Sequence, residues 1–327
     1  MRTPTSTLQK PSGAQSGVLI PLLSIFTARP EARTRMRDFF SSHIRNPSSR
    51  RAHREAVRQV SDFCAEHGIG DLAQVEPVHV AAFVETQLKT QSKPTAKLRL
   101  AALRMLFDWM VVGQVIPTNP AHSVRGPKHS QRRGKTPVLQ ADEARTLIDA
   151  IDTTSLPGLR DRALIGLMVY TFSCVGAAIS MRVEDFFVQG RRGWVRLHEK
   201  GGKEHEMPTH HNLDRYLEEY IDAAGIAEDR KGPMFRTTSG RSGELTGNSL
   251  LQSDVWRMIR RRALAAGIKT EIGCHTFRAT GITAYLKNGG RLEIAQQMAA
   301  HESARTTGLY DRRSDEVSLD EVERIGI

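Results

Sequence analysis

Four residues late in the chain have types and spacing suited to chemistry on a phosphodiester: His275 and Arg278, then His301, then Tyr310. A tyrosine can attack a phosphate and hold it as a covalent ester, so a strand can be resealed without metal or ATP. Its phenol has an ordinary pKa near 10 and needs help to shed its proton. The attacked phosphate gathers negative charge, so fixed Arg and His donors should surround it. The departing 5′ oxygen needs a proton from a general acid such as Lys or His. The stretch Gly273–Arg313 supplies the Tyr, the Arg and both His. On a helix, His275 and Arg278 at i and i+3 would share a face, with Phe277 and Ile282 anchoring that helix to a core. Taken singly, an HxxR pair is a solvated helix face and a Tyr is packing. Order and spacing together carry the functional reading.

These residues need a scaffold and a means of gripping a polyanion. The chain has 327 residues, enough for about two domains, with 39% hydrophobic content and a net charge of +11. The charge is uneven: residues 1–136 hold 21 Lys+Arg against 9 Asp+Glu, so the first part is the expected electrostatic grip. Three cysteines form no disulfide framework or CxxC motif, which suits a reducing cytosol. No apolar run reaches the ~18 residues of a membrane span. Neither Cys274 with His275, nor His205 with His210 and His211, has the paired spacing of a zinc site, so no metal is expected.

In chain order, Met1–Ser16 is polar and reads as a disordered tail. Helices are expected over Pro30–His43, Pro47–His67, Val78–Thr90 and Pro94–Val112. The second carries Arg50, Arg51, Arg54 and Arg58, which could lie along phosphates or form only a soluble face. In the fourth, Leu98, Ala102, Met105, Leu106 and Trp109 share one helical stripe and are assigned to the core. Lys93, Lys97, Arg99 and Arg104 leave that stripe as candidate DNA contacts. Pro117–Thr136 is rich in Pro and Gly and carries Arg125, Lys128, Arg132, Arg133 and Lys135, a basic linker. Beyond it, a helix is expected from about Ala141 to Ile151, and Leu159–Thr171 is apolar nearly all round, a buried helix. Trp194–His198 and His205–Pro208 flank Lys200-Gly-Gly-Lys203 and read as a hairpin. Ser239–Asn248 reads as a polar loop and Ser249–Ala266 as a helix, with Arg257, Arg260, Arg261 and Arg262 as further candidate contacts. Ser318–Ile325 has a capping-box start and one small apolar face.

The pattern H-x-x-R … H-x8-Y resembles the tyrosine recombinases, or phage integrases. The resemblance covers roughly residues 25–327 and is strongest in the second part. It implies a mainly α fold with a small antiparallel β-sheet in the C-terminal domain. Residues 1–24 would be a disordered tail, 25–116 a helical core-binding (SAM-like) DNA-binding domain, 117–136 the basic linker and 137–327 the catalytic domain. It also implies double-stranded DNA as partner, a tetramer on DNA, action in the bacterial cytosol, no cofactor, no membrane and no small-molecule substrate. Tyr310 would be the nucleophile, Arg278, His275 and His301 would support the phosphate, and Lys200, with Lys203 as competitor, would protonate the leaving oxygen. The terminal helix would dock on a neighbouring protomer, or fold back on its own domain.

Two departures stand out. The family's first catalytic Arg lies eleven residues before an Asp, and counting back from Asp185 places Cys174 there, with Ala177 where an acid is usual. A thiol cannot form a charged bidentate clamp, and loss of such a contact costs orders of magnitude in rate. Arg182 would be too far along a helix to replace it. A DNA-binding member with impaired catalysis is therefore the alternative. The second departure, Ala299-Ala300 in place of the family's Leu-Gly, should be tolerated.

Overall fold

The structure, a computed structural model, describes residues 24–130, 134–199, 202–240, 242–311 and 322–325. Most of the expected tail, Arg132, Arg133, Lys200 and Ser318–Glu321 of the expected terminal helix lie outside the described residues. The chain divides into two compact units, Met1–Ser130 and Gln131–Ile327.

The first unit is helical: α1 (Ser24–Thr27), α2 (Pro30–Asp38) continuing into a π-helical turn (Phe39–His43), α3 (Pro47–Glu66), α4 (Pro77–Thr90) and α5 (Lys93–Val112). Asn46 caps α3, its side-chain oxygen accepting from Ser48 N (2.9 Å) and Ser49 N (3.2 Å), and Pro47 opens the helix where no N–H is needed. Ala56, Val57, Val60, Phe63 and Cys64 then recur at helical spacing and are buried. α2 and α5 are clasped reciprocally. The Arg35 guanidinium lies 3.8 Å over the Trp109 ring and donates to Trp109 O at 3.1 Å, while Trp109 Nε1 donates to Arg35 O at 3.0 Å.

The core face of α5 keeps part of the expected stripe: Ala102 and Leu106 are buried and Trp109 packs against the core, whereas Leu98 and Met105 are 51% and 41% exposed. Ala96, Leu100, Leu103, Phe107 and Met110 complete the inward face. α5 is apolar around most of its circumference, so spacing alone offers two stripes and only its neighbours choose between them. Arg104 is not a free contact either. Its Nε donates to Ala121 O at 3.1 Å and its Nη2 to Val124 O. That tie, with Ala121 and Val124 buried, packs the chain onto the first core well beyond Pro117, where the linker was expected to begin.

The second unit contains α6 (Ala141–Asp149), α7 (Leu156–Tyr170), α8 (Val175–Ser180), β1 (Phe186–Gln189), β2 (Arg192–Glu199), β3 (Lys203–Pro208), α9 (His211–Ala224), β4 (Arg236–Thr238), β5 (Leu245–Ser249), α10 (Gln252–Ala265), α11 (Cys274–Lys287), α12 (Leu292–Met298) and α13 (Ala304–Gly308). β1, β2 and β3 form an antiparallel sheet in that order, with Leu197 opposite His205. β4 and β5 form a second hairpin where a plain loop was expected. Paired hydroxyls of Thr237 and Thr246 (2.5 Å) tie its strands together across a polar sequence.

α7 is the central helix, with Ala163, Leu164, Ile165, Leu167 and Met168 fully buried. α11 packs directly on it. A Cβ at Gly281 would collide with the Val169 carbonyl oxygen, so only glycine permits this approach. α10 is fixed to α7 by a buried ion cluster. Asp161 Oδ2 accepts from Arg262 Nη2 (2.8 Å) and Nε (3.0 Å), and its Oδ1 accepts from Arg160 Nη2 (2.7 Å). Arg262, expected as a DNA contact, is therefore a structural clamp.

Candidate active site

α11 carries both members of the HxxR pair. Phe277 (1% exposed) and Ile282 (0%) seat it in two adjoining parts of the core. That seating buries Arg278, which is 4% exposed, and leaves His275 at the surface. Arg278 Nη1 lies 3.0 Å from Cys174 Sγ, and its Nη2 donates to the Ala299 carbonyl. Cys174 is the N-terminal flanking residue of α8. Burial pushes its thiol pKa up, against the pull of Arg278, so the sulfur is a neutral thiol at neutral pH. Next to it, the buried Ser173 Oγ has no partner among the described residues. Arg182 does not approach this position: α8 stops at Ser180, and Arg182 turns to Glu184, 3.8 Å away.

The turn after α12 brings in the second histidine. Ala300 adopts φ +49°, in the left-handed region, which swings the chain back toward α11. His301 N donates to Gln296 O (3.1 Å), and Gln296 Nε2 donates to His301 O (3.1 Å). The ring's Nδ1 pairs with Thr307 Oγ1 at 2.9 Å. Burial, then Arg278 and His275, lower the His301 pKa to about 4, so the imidazole is neutral at pH 7. His275 is also lowered, by desolvation first and Arg278 second.

Tyr310 stacks on His301, ring centroids 5.8 Å apart and planes within 10°. Its N donates to Thr307 O (2.9 Å), and its O accepts from Thr283 Oγ1 (2.9 Å). Gly134 N donates to Leu309 O at 3.0 Å, so the start of the second unit also holds the tyrosine's segment. Burial raises the Tyr310 pKa, opposed by Arg278 and reinforced by Cys174, so the resting phenol is protonated.

Thus Arg278, His301, Tyr310 and Cys174 come together in one place. Lys200 lies outside the described residues. Its competitor Lys203, at the start of β3, pairs with Glu302 at 2.8 Å, next to His301. In the first unit, Arg51, Arg54, Lys97, Arg125 and Lys128 are exposed. Arg50 is half-buried, its Nε (3.1 Å) and Nη2 (2.9 Å) donating to Ile44 O. Arg99 is likewise half-buried and bonds Gln87. Sequence reading overlooked Thr283 and Thr307, whose only signal is that they are polar residues within the motif's own span. It also overlooked Trp256, 53% exposed on α10, close to where a side chain on Gly273 would project.

A groove of about 1110 Å³ runs along the Thr280–Thr283–Lys287 edge of α11 and is lined by Lys135, Arg145, Arg215, Lys287 and Tyr216, with Asp149 its one carboxylate. Among the described residues, no group of three or more His, Cys, Asp or Glu side chains is placed to hold a metal ion, and no helix is long and apolar enough to cross a membrane.

Comparison with known proteins agrees with this geometry. Residues 137–316 match the model of the phage integrase family, and residues 37–112 match the phage integrase N-terminal SAM-like domain. The chain is 27% identical over 271 residues to tyrosine recombinase XerD of Mycobacterium leprae, covering 79% of this chain and 84% of that protein. It is 29% identical over 229 residues to XerD of Oceanobacillus iheyensis, covering 68% and 73%. Its fold is similar to that of XerH recombinase bound to a palindromic difH substrate (TM-score 0.67, 17% identity, 85% of this chain and 78% of that one). It is similar also to lambda integrase in a tetramer bound to a Holliday junction (TM-score 0.64, 19% identity, 88% and 80%). With the catalytic-domain match spanning more than half of its length and ending just beyond Tyr310, this chain belongs to the phage integrase family, the tyrosine recombinases.

Proposed function

We propose that this protein cleaves and rejoins DNA strands at specific sites through a 3′-phosphotyrosyl intermediate on Tyr310. The observation that carries the reading is the stacking of Tyr310 on a neutral His301, with the Arg278 guanidinium held against the carbonyl of the same turn. In this scheme Tyr310 Oη attacks the scissile phosphorus and the bond to the 5′ oxygen breaks. Arg278 binds the nonbridging oxygens, exchanging its contacts to Cys174 and Ala299 for the phosphate. His301, neutral above about pH 4, can accept a proton or a hydrogen bond. His275 supports the phosphate from the mouth of the site. Lys200, with Lys203 beside it, protonates the departing oxygen.

The first unit serves as the core-binding domain, with the exposed Arg51, Arg54 and Lys97 toward phosphates, and with Arg50 and Arg99 reaching them only by exchanging their bonds to Ile44 O and Gln87. Arg125, Lys128, Arg132 and Arg133 continue that grip into the linker. Four protomers assemble on paired duplexes in the cytosol. The terminal segment 314–327 has five carboxylates and an apolar stripe. Its chemistry complements the basic groove along α11, on a neighbouring protomer or on its own.

A second reading follows from Cys174. A buried neutral thiol stands where a second guanidinium would neutralise the phosphate, and Arg278 is left as the buried cation there. The protein would then bind DNA with its cleavage impaired.

Covalent capture separates the two. Nicked duplexes tiled from the DNA flanking the gene are incubated with this protein, Cys174→Arg and Tyr310→Phe, then run on a denaturing gel. A protein–DNA adduct formed by the unchanged protein and lost in Tyr310→Phe supports cleavage. An adduct only with Cys174→Arg supports the impaired reading. Binding without an adduct in any protein leaves a missing target site or a DNA-binding protein, and the catalytic assignment loses its support.

A further inference from the structure

Thr307 touches both residues of the reacting pair, the ring of His301 and the backbone of Tyr310. It is 0% exposed, so no water competes for its hydroxyl, and that hydroxyl pairs with His301 Nδ1 at 2.9 Å. Its carbonyl accepts from Tyr310 N at 2.9 Å. A buried hydroxyl is costly to leave unpaired, and its role at Nδ1 is tied to the tautomer of the ring: it accepts from an Nδ1–H or donates to a bare Nδ1. With Nδ1 taken, Nε2 is the nitrogen left to meet a substrate oxygen or the Tyr310 phenol. The two rings lie 10° from parallel, so the plane in which the imidazole is held is also the plane against which the phenol stacks.

We propose that Thr307 is a positioning residue: its hydroxyl holds His301 in one tautomer and one plane while its carbonyl holds Tyr310, setting the register between them. The catalytic consequence rests on the function proposed above, but the hold on His301 can be measured without catalysis. The neighbouring Thr306 is exposed, so it provides a control of the same residue type in the same helix.

The full chain, labelled with ¹⁵N in its histidine rings, is compared with Thr307→Val, Thr307→Ser and Thr306→Val by NMR near pH 7. His301→Asn identifies the His301 signals, and thermal melts check folding. The unchanged protein, Thr307→Ser and Thr306→Val should show His301 as one tautomer, and Thr307→Val a mixture. A His301 spectrum unchanged in a folded Thr307→Val would overturn the proposal. If Thr307→Val does not fold, Thr307→Ala takes its place with the same two outcomes.

Adduct formation is then measured in the unchanged protein, or in Cys174→Arg where only that variant cleaves. Thr307→Val should slow it about ten-fold with DNA affinity kept, and Thr307→Ser should restore it to within two-fold. A tautomer mixture with an unchanged rate would sink the catalytic part. Absence of any adduct counts against the recombination reading alone, because the tautomer measurement stands by itself.

Discussion

At Ala300 the backbone sits at φ +49°, a conformation that costs a residue with a Cβ about 1–2 kcal/mol. The recombinase pattern has glycine here, and the geometry gives the reason: the turn into His301 needs a left-handed residue. Ala300→Gly should relieve this strain, offset in part by the entropy glycine adds to the unfolded chain. The net gain should be about 0.5–1 kcal/mol, read as a rise of about 1–4 °C in a thermal melt. His301 itself should make stability depend on pH. Its folded pKa of about 4 lies below the unfolded value of 6.5, so between those values only the unfolded chain takes up the proton. Stability is therefore kept above about pH 6.5 and lost progressively as pH falls toward 4. His275, also lowered, adds in the same direction. Urea midpoints at pH 7 and pH 4.5 check this, and His301→Gln should flatten the difference. That Arg278, His301 and Tyr310 would gather in one place was legible from their spacing, because each has a side chain that phosphodiester chemistry demands. Thr307 was not, since a threonine's value here depends on burial and on which ring nitrogen it meets.

Among the elements, α7 and α10 depend on Asp161. Its carboxylate is fully buried between Arg160 and Arg262, and its removal leaves Arg160 as an unpaired buried charge. Asp161→Ala should cost about 3–5 kcal/mol by denaturant titration, far more than loss of one exposed arginine. The two faces of α5 make the opposite test. Met105→Ser, on the exposed face, should change stability by less than about 0.5 kcal/mol, whereas Leu103→Ala, at 0% exposure, should cost about 2–5 kcal/mol. Helix positions could be read from periodicity and from the prolines that open them: Pro47 and Pro94 announce α3 and α5 before any packing is considered. What periodicity could not choose was the inward face of a helix apolar nearly all round. Nor could it see that Arg104 and Arg262 spend their charge on carbonyls and a buried carboxylate, because such partners are distant in sequence.

For the whole molecule, the excess of basic residues in positions 1–136 makes DNA affinity an electrolyte effect. A protein that neutralises some 6–10 phosphates loses about 10³–10⁵ in affinity between 50 and 200 mM salt. A duplex titration over that range should show a fall of this order, and a shallow dependence would mean that the basic residues are only solvated surface. The division into two units was legible in the shift of charge and in the Pro/Gly stretch, though the first core keeps more of that stretch than its composition suggests. Gly134 and Leu309 lie at opposite ends of the second unit's sequence, yet their backbones are joined beside Tyr310. Closing so long a loop is entropically costly, so the Tyr310 segment is expected to lock in late as the unit folds and to open early. The Gly134 amide therefore acts as a latch reporter: its hydrogen exchange should run well ahead of amides within α7, timing how often the tyrosine swings free of an otherwise intact protein.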